Sequence, residues 1–459
     1  MFRARHLRVK FLATGVILLL SLLYIHNITF ARTGITPSSL VFGKCWAKTY
    51  ERSKASQIKS LPHAFKRSIP SQNPASPLNQ VLRSRLPVSQ VNCSALLDGD
   101  REEQDRAEDI MVSNQRTFLS PQDFMKMAEN CKMFRISRGY FTSPLSPEEE
   151  NFSIAFSIIM YQEIEQVERL LRAIYRPQNV YCIHVDRKSP LALRRGVEAI
   201  TNCFDNVIVI KNPLSVDWGQ MSVLEADLLC MRALSAYKKW KYFINLTGQE
   251  FPLRTNRELV KILQDYKGAN NIEMLRNRKY SSRVSIASVP PHGIKAVGGS
   301  LKITASRGFV DYVLHNQTAQ DFLQWVKNTE IPDEIFFQSL NANAHLRIPG
   351  TFKGNTDSDD DRNPQLSRFV VWYHAPIQYP CEGKFVREVC VFGVRDLPMI
   401  ILQPHLFVNK FHLDYQQFAQ DCLEEWHFNR TRDEFLYDLQ FDDTCYKNLD
   451  FVINQVHAT

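Results

Sequence analysis

Phe152-Ser-Ile-Ala-Phe-Ser-Ile-Ile-Met160 and Val180-Tyr-Cys-Ile-His-Val185-Asp186 decide the fold. Each is an apolar run of strand length, and neither alternates with polar residues as a half-exposed strand would. Runs of this kind predict strands buried on both faces, which is the habit of parallel sheets covered by helices. Helical spacing between and after them supports that pattern: Glu163–Ala173, Pro190–Ile200, Ser222–Tyr237, Asn256–Tyr266 and one long helix over Val310–Glu330. Further strands are expected at Asn206–Ile210, Tyr242–Leu246 and Leu301–Thr304. The fold class is therefore α/β, with a mixed, mostly parallel, doubly covered sheet. Ligands of such sheets sit beyond the carboxyl ends of the strands, and Asp186 closes one of those strands.

The 459 residues suffice for one large domain or two smaller ones with accessory segments, and 44% hydrophobic content with 29 Phe predicts a large core. Charge is uneven. Residues 1–90 carry 14 Lys/Arg against the single acid Glu51, so the overall +8 leaves about −5 for residues 91–459. The basic balance belongs to the N-terminal arm. A nucleic-acid partner, which calls for basic residues clustered on the folded part, is disfavoured.

Residues 1–10 are a basic cytoplasmic tail. The uncharged run 11–31 is long enough for one membrane span, a signal anchor with the positive flank kept in the cytoplasm. A cleaved signal peptide is the alternative. Either way the bulk of the chain lies in the secretory lumen, where ten cysteines fit. Residues 32–90, rich in Ser, Pro, Lys and Arg, read as a flexible stem. The folded domain spans 91–445 and a C-terminal tail 446–459. Sequons stand at Asn27, Asn92, Asn151, Asn245, Asn316 and Asn429; Asn92, in a polar segment, is the expected glycosylation site.

Chemistry-bearing residues stand at several points. Cys381 and Cys390 bracket Arg387, and Lys410 follows inside Leu406-Phe-Val-Asn-Lys410-Phe411. Cations fixed in an apolar frame predict a held anion, most often phosphate; the plainer reading is a strand-edge arginine and a surface lysine. Pro332-Asp333-Glu334 is an ordinary helix start, or it supplies a general base, and spacing leaves both open. Asp186-Arg187-Lys188 lacks the second acid of a cation-holding Asp-x-Asp. Asp357-Ser-Asp359-Asp-Asp361 has that pattern, but in a polar loop that reads as a solvated turn. Trp218 and Trp372 are core aromatics or stacking faces, and His184 is a strand histidine. No P-loop, Gly-x-Ser-x-Gly, Gly-x-Gly-x-x-Gly or zinc spacing occurs.

Several segments together resemble the core 2 and I-branching β-1,6-N-acetylglucosaminyltransferase family. They are Leu170 through Asp186, Glu225-Ala-Asp-Leu-Leu-Cys230-Met, Trp240 through Leu246, Gln249 through Asn256, Pro332-Asp-Glu334 and the Cys381–Lys410 stretch. The resemblance implies a single-pass type II Golgi membrane protein with a GT-A-like lumenal domain. It would transfer GlcNAc from UDP-GlcNAc in β-1,6 linkage to the GalNAc of glycoprotein O-glycans, with inversion and no metal or other cofactor. Alternatives are branching of internal galactose, another UDP-sugar, or an inactive lumenal sugar-binding protein. By the same resemblance Glu334 is the catalytic base, and Arg387 and Lys410 hold the diphosphate. Asp186, Arg187 and Lys188 lie at the nucleoside, with Ile159, Met160, Tyr161 and Trp218 around the donor. Glu273, Trp372 and His374 contact the acceptor. Cys93 pairs with Cys422, Cys131 with Cys203, Cys182 with Cys230 and Cys381 with Cys390. Cys45 and Cys445 are left to pair with each other or to link a homodimer.

The chain departs from the family around the sugars. Tyr161 replaces a usual His, and Thr247 a cysteine. His374 stands where core 2 enzymes often have Tyr, and Ser300-Leu-Lys-Ile replaces a Ser-Ala-Tyr-type run. The segment between Glu273 and Pro290 is shortened.

Overall fold

The computed structural model describes residues 81, 88–114, 116–275, 289–354, 364–375 and 379–457. Its centre is a six-stranded sheet of β1 (Ser153–Met160), β2 (Val180–Val185), β3 (Val207–Val209), β4 (Trp240–Thr247), β6 (Asn271–Ile272) and β7 (Ile303–Ser306), in the order β3-β2-β1-β4-β7-β6. The pairs β2–β3, β1–β2 and β1–β4 are parallel, while β4–β7 and β6–β7 are antiparallel. Succession runs outward from β1 to β3 and then resumes at β4 on the other side of β1. That reversal places a crevice at the carboxyl ends of β1 and β4.

Helices cover both faces: α1 (Ile164–Ile174), α2 (Leu191–Thr201), α3 (Met221–Leu234), α4 (Asn256–Asp265), α5 (Arg307–His315) and α6 (Gln317–Val326). Every second residue of β1 faces one side. Ile154, Phe156, Ile158 and Met160 pack with α1, α2 and α4 residues such as Leu170, Val197 and Leu259. Ala155 faces the opposite core, with Leu228 of α3 and Phe309 of α5. Burial on both sides, with only Ile159 half-buried, is why β1 reads as an unbroken apolar run.

A second layer is less regular. β5 (Glu250–Pro252), β8 (Arg368–Val370) and β11 (Phe407–Asn409) form a three-stranded sheet in the order β5-β11-β8, and β9 (Lys384–Val386) and β10 (Val389–Val391) form a hairpin. The helix α7 (Gln417–Tyr437) closes a third core with Phe251, Phe369, Phe392 and Val408. Between α1 and α7 lies a buried ionic lattice. Arg169 meets Asp421 and Glu424 at 2.7 Å, and Arg172 meets Glu424 at 2.6 Å. Removing Glu424 takes a shared carboxylate from two buried guanidinium groups, which keep only Asp421 (Arg169) and the more distant Glu168 (Arg172), so Glu424→Ala is expected to lower unfolding free energy by about 3 kcal/mol in urea titration.

Three expectations need correction. The long helix over 310–330 is two, because Asn316 leaves helical geometry (φ −84°, ψ 133°) and its side chain accepts the Thr318 N–H to cap α6. Residues 446–457 are no loose tail: Tyr446, Leu449, Phe451 and Val452 belong to the main core. Folded structure also precedes residue 91, since Val81 is buried against Phe141 and Phe428, and the Val88 N–H donates to Glu425. Residues 1–31 lie outside the described residues. Among the described residues no helix is long and apolar enough to cross a membrane.

The pairs Cys93–Cys422, Cys131–Cys203, Cys182–Cys230 and Cys381–Cys390 are formed. Cys445 is disulfide-bonded as well, while Cys45 lies outside the described residues. Asn92 is exposed and caps the helix Cys93–Asp98 by accepting from Ala95 N–H.

Candidate active site

The crevice at β1 and β4 gathers the predicted donor-side residues. Asp186 follows β2 and is 5% exposed. One carboxylate oxygen accepts the Lys188 N–H (2.7 Å), the other the Val216 N–H (3.1 Å). Asp186 thus holds the 214–217 loop against the end of β2. Arg187 adds an Nε bond to Ser215 Oγ (3.1 Å). Lys188 Nζ is engaged with Asp217 (2.6 Å) and the Val216 carbonyl (2.8 Å). Beyond the loop Trp218 is 79% exposed, and Tyr161 at the end of β1 is 55% exposed. Exposure settles these two aromatics as faces open to solvent rather than core residues. Ile159 is half-buried beside them and Met160 buried. The Ile159 carbonyl takes the Gly248 N–H at 3.0 Å, which closes the crevice floor between β1 and β4.

Two acids are brought together on the other side. Glu273 follows β6, and Glu334 ends a 3₁₀ turn, Pro332–Glu334, entered through Ile331 at φ 50°. Gly298 and Gly299 clamp them. Leu275 N–H donates to the Gly298 carbonyl (2.6 Å) and Gly299 N–H to the Glu334 carbonyl (2.9 Å). A β-carbon on Gly299 would lie 2.3 Å from the Glu273 carbonyl oxygen, so only glycine permits this approach. Burial raises the Glu273 carboxyl above the ordinary range and the Glu334 charge adds to it, against the Ser300 N–H and Lys302.

The cations sit on the second layer. β9 and β10 are joined by Arg387-Glu388, both at positive φ (51° and 64°). That turn normally selects Asn-Gly, so two long charged side chains there hold strained backbone. The Cys381–Cys390 disulfide ties the hairpin's base. Lys410 Nζ donates to the Val386 carbonyl at 3.1 Å, placing its ammonium beside the hairpin tip. Burial lowers the Lys410 pKa, and the neighbouring charges of Lys302 and Arg387 lower it further. Trp372, 44% exposed, bridges to Val389 of β10, and Tyr373 N–H donates to the Glu388 carbonyl (2.9 Å). His374 is exposed with its ring edge-on to Tyr373. Phe411 N–H reaches the Gln249 carbonyl (2.9 Å), so Lys410 lies just past the end of β4, next to the crevice.

A buried network supports this region. Asp227 accepts from Ser157 Oγ (2.6 Å) and Asn245 Nδ2 (2.8 Å), and Asn245 Oδ1 takes the Ile303 N–H (2.8 Å). Burial pushes the Asp227 carboxyl up to about 6, opposed by those two hydrogen bonds. Asn245 is 4% exposed and spent in this network, which agrees with passing it over as a glycan site.

Residues 154–401 match the Core-2/I-branching enzyme family, more than half of the chain. The chain belongs to that family. A relative named beta-1,3-galactosyl-O-glycosyl-glycoprotein beta-1,6-N-acetylglucosaminyltransferase from Homo sapiens is 36% identical over 367 residues, covering 74% of this chain and 85% of the relative. Its Bos taurus counterpart is 37% identical with the same coverage. A third relative, the same name with the suffix 3, from Homo sapiens, is 34% identical over 370 residues, covering 74% and 84%. Among solved structures, that of the mannosyltransferase Ktr4p from S. cerevisiae overlaps at a TM-score of 0.24 and 11% identity, covering 52% of this chain and 82% of that one. A likeness of that size carries no argument.

Within this Core-2/I-branching member the family match takes in Glu273, Glu334 and Arg387, and Lys410 lies nine residues past its end. The predicted residues form two groups: Ile159, Met160, Tyr161, Asp186, Arg187, Lys188 and Trp218 at the β1–β2 end, and Glu273, Glu334, Trp372, Arg387 and Lys410 beyond β4. Sequence reasoning missed Lys302, which faces Glu273 and Glu334. The signal was present in the departure Ser300-Leu-Lys-Ile. Residues 276–288 and the acidic run 357–361 lie outside the described residues. Among the described residues no group of three His, Cys, Asp or Glu side chains is gathered to hold a metal ion.

Proposed function

We propose that this chain is an inverting β-1,6-N-acetylglucosaminyltransferase of the Golgi lumen that needs no metal. It adds GlcNAc from UDP-GlcNAc to the GalNAc of mucin-type O-glycans and is held in the membrane by residues 11–31. Glu334 takes the proton of the acceptor 6-hydroxyl while that oxygen bonds to the anomeric carbon. The bond from that carbon to the diphosphate breaks, and its electron pair leaves on UDP. Arg387 and Lys410 meet the charge that grows there. One base, one supported leaving group and one displacement give inversion without a protein nucleophile.

The observation that carries this reading is the arrangement beyond β4. Glu334 and Glu273 are clamped by one diglycine, facing a lysine cluster at a strained arginine turn. Relatives bearing the transferase name support the sugar and linkage. The full chain in detergent, given UDP-GlcNAc and a Galβ1-3GalNAc acceptor, is expected to form a β-1,6 branch at the same rate with and without EDTA. A product lacking that branch, or activity lost in EDTA, would overturn the reading. Transfer to internal galactose is the second reading, since His374 stands where core 2 enzymes often have Tyr, and the same assay with a poly-lactosamine acceptor separates the two.

A further inference from the structure

Lys302 lies at the entrance to β7, between two residues fixed by one side chain. Asn245 donates to the Leu301 carbonyl (3.0 Å) and accepts from Ile303 N–H (2.8 Å). The Lys302 carbonyl takes Gln365 Nε2 (2.7 Å), and its N–H bonds Ser300 Oγ (3.2 Å). The backbone is therefore held on both sides. Leu301 and Ile303 pack into the core beneath the sheet, so strand alternation turns Lys302 the opposite way. Thr304 shares that face, and its hydroxyl accepts from Ser367 Oγ (2.8 Å), next to β8 of the second layer. Lys302 thus points into the cleft between the two sheets.

Four charged groups face it there: Glu250 and Arg368 from the second layer, and Glu273 and Glu334 from the acceptor side. Lys410 is the fifth. The acids have other engagements. Glu250 pairs with Arg368 (2.6 Å) and accepts from Asn409 (3.1 Å), and Glu273 is bonded by the Ser300 N–H. Among the described residues, the Lys302 ammonium has neither an ion-pair partner nor a hydrogen-bond acceptor. Lys410 has only the neutral Val386 carbonyl. Two half-buried ammonium groups and a strained arginine converge, and among the described residues neither ammonium is in a close ion pair with the carboxylates nearby. Burial lowers the Lys302 pKa, so burial disfavours its charge, which an incoming anion would favour.

We propose that Lys302 is the third cation of the donor's diphosphate site, acting with Arg387 and Lys410 from the acid side of the cleft. This rests on the reading of the donor as a nucleoside diphosphate sugar. Such a donor carries about two negative charges on its phosphates, and the departing diphosphate gains roughly one more at neutral pH. Three cations match the departing form better than the bound one, so Lys302 favours the transition state over the ground state. With Glu334 and Lys410 both near it, Lys302 is close to the base and to the leaving group.

The test uses the full chain in detergent with Lys302→Met, which keeps length and removes charge, and Lys302→Arg. Uridine, UDP and UDP-GlcNAc are the probes. Losing one charge-assisted bond to phosphate is expected to weaken UDP binding by about tenfold to a hundredfold in calorimetry. Uridine affinity should stay unchanged, the salt dependence of UDP binding should become shallower, and kcat should fall. Lys302→Arg should recover part of the UDP affinity. The melting temperature of Lys302→Met without ligand should equal or exceed that of the parent, while the rise produced by UDP shrinks. UDP affinity within twofold of the parent would overturn the proposal. So would a loss confined to acidic acceptors, which would make Lys302 an acceptor residue. If the parent chain itself fails to bind UDP, the donor reading falls, and this proposal with it.

Discussion

Glu334→Gln is expected to abolish turnover while leaving UDP binding intact. The loss should be about 10²–10⁴-fold in kcat, the range for removing a positioned general base. The substitution preserves shape. Glu334 is placed by its backbone: its N–H bonds the Ile331 carbonyl (3.0 Å) and its carbonyl takes the Gly299 N–H (2.9 Å). Neither contact involves the carboxylate, so the turn should persist with an amide in place of the acid. Glu273 should not take over, because its carboxylate is already held by the Ser300 N–H. Single-turnover measurement with UDP-GlcNAc separates chemistry from release, and UDP calorimetry checks the donor site. Retained turnover would show that another group takes the proton.

How far the sequence disclosed this site follows from the range of the forces that built it. The central sheet was legible because β1 and β2 are buried on both faces, and such strands announce themselves as apolar runs. Strands β5, β8, β9, β10 and β11 are three residues each, shorter than a period-2 pattern can reveal. The pairing of Glu250 with Asn409 joins residues 159 apart by hydrogen bond. No local signal encodes that contact. Asn316 hid the helix break because its neighbours keep helical spacing, while its side chain caps the next helix instead. The chemistry divides the same way. Arg387 was visible between two cysteines, yet the strained turn that aims it depends on the whole hairpin. Lys302 was only a departure from a pattern. Its significance comes from Glu250, Glu273, Glu334, Arg368 and Lys410, which five separate segments deliver.

Lys410→Ala is the second large effect. Its ammonium is fixed near the hairpin tip by the Val386 carbonyl and placed past β4 by the neighbouring Phe411–Gln249 bond. Losing a preorganised group that meets charge developing on the leaving group should cost about 10²–10³-fold in kcat. UDP affinity should weaken as well. A pH dependence follows from the lowered Lys410 pKa, caused first by burial and then by the charges of Lys302 and Arg387. By itself the folded-state pKa of Lys410 lies below the unfolded one. The charged lysine therefore costs stability at low pH, and that cost is relieved as pH rises through the folded value. Bound diphosphate reverses the preference, because it stabilises the charged form. UDP affinity should consequently fall as pH rises through the empty-site pKa, starting below the ordinary lysine range. Calorimetric titration of UDP across neutral to alkaline pH reads this limb directly. Lys410→Arg, whose guanidinium stays charged throughout, should remove the Lys410 contribution and leave that of Lys302. UDP affinity independent of pH in the parent chain would mean that neither lysine meets the phosphates.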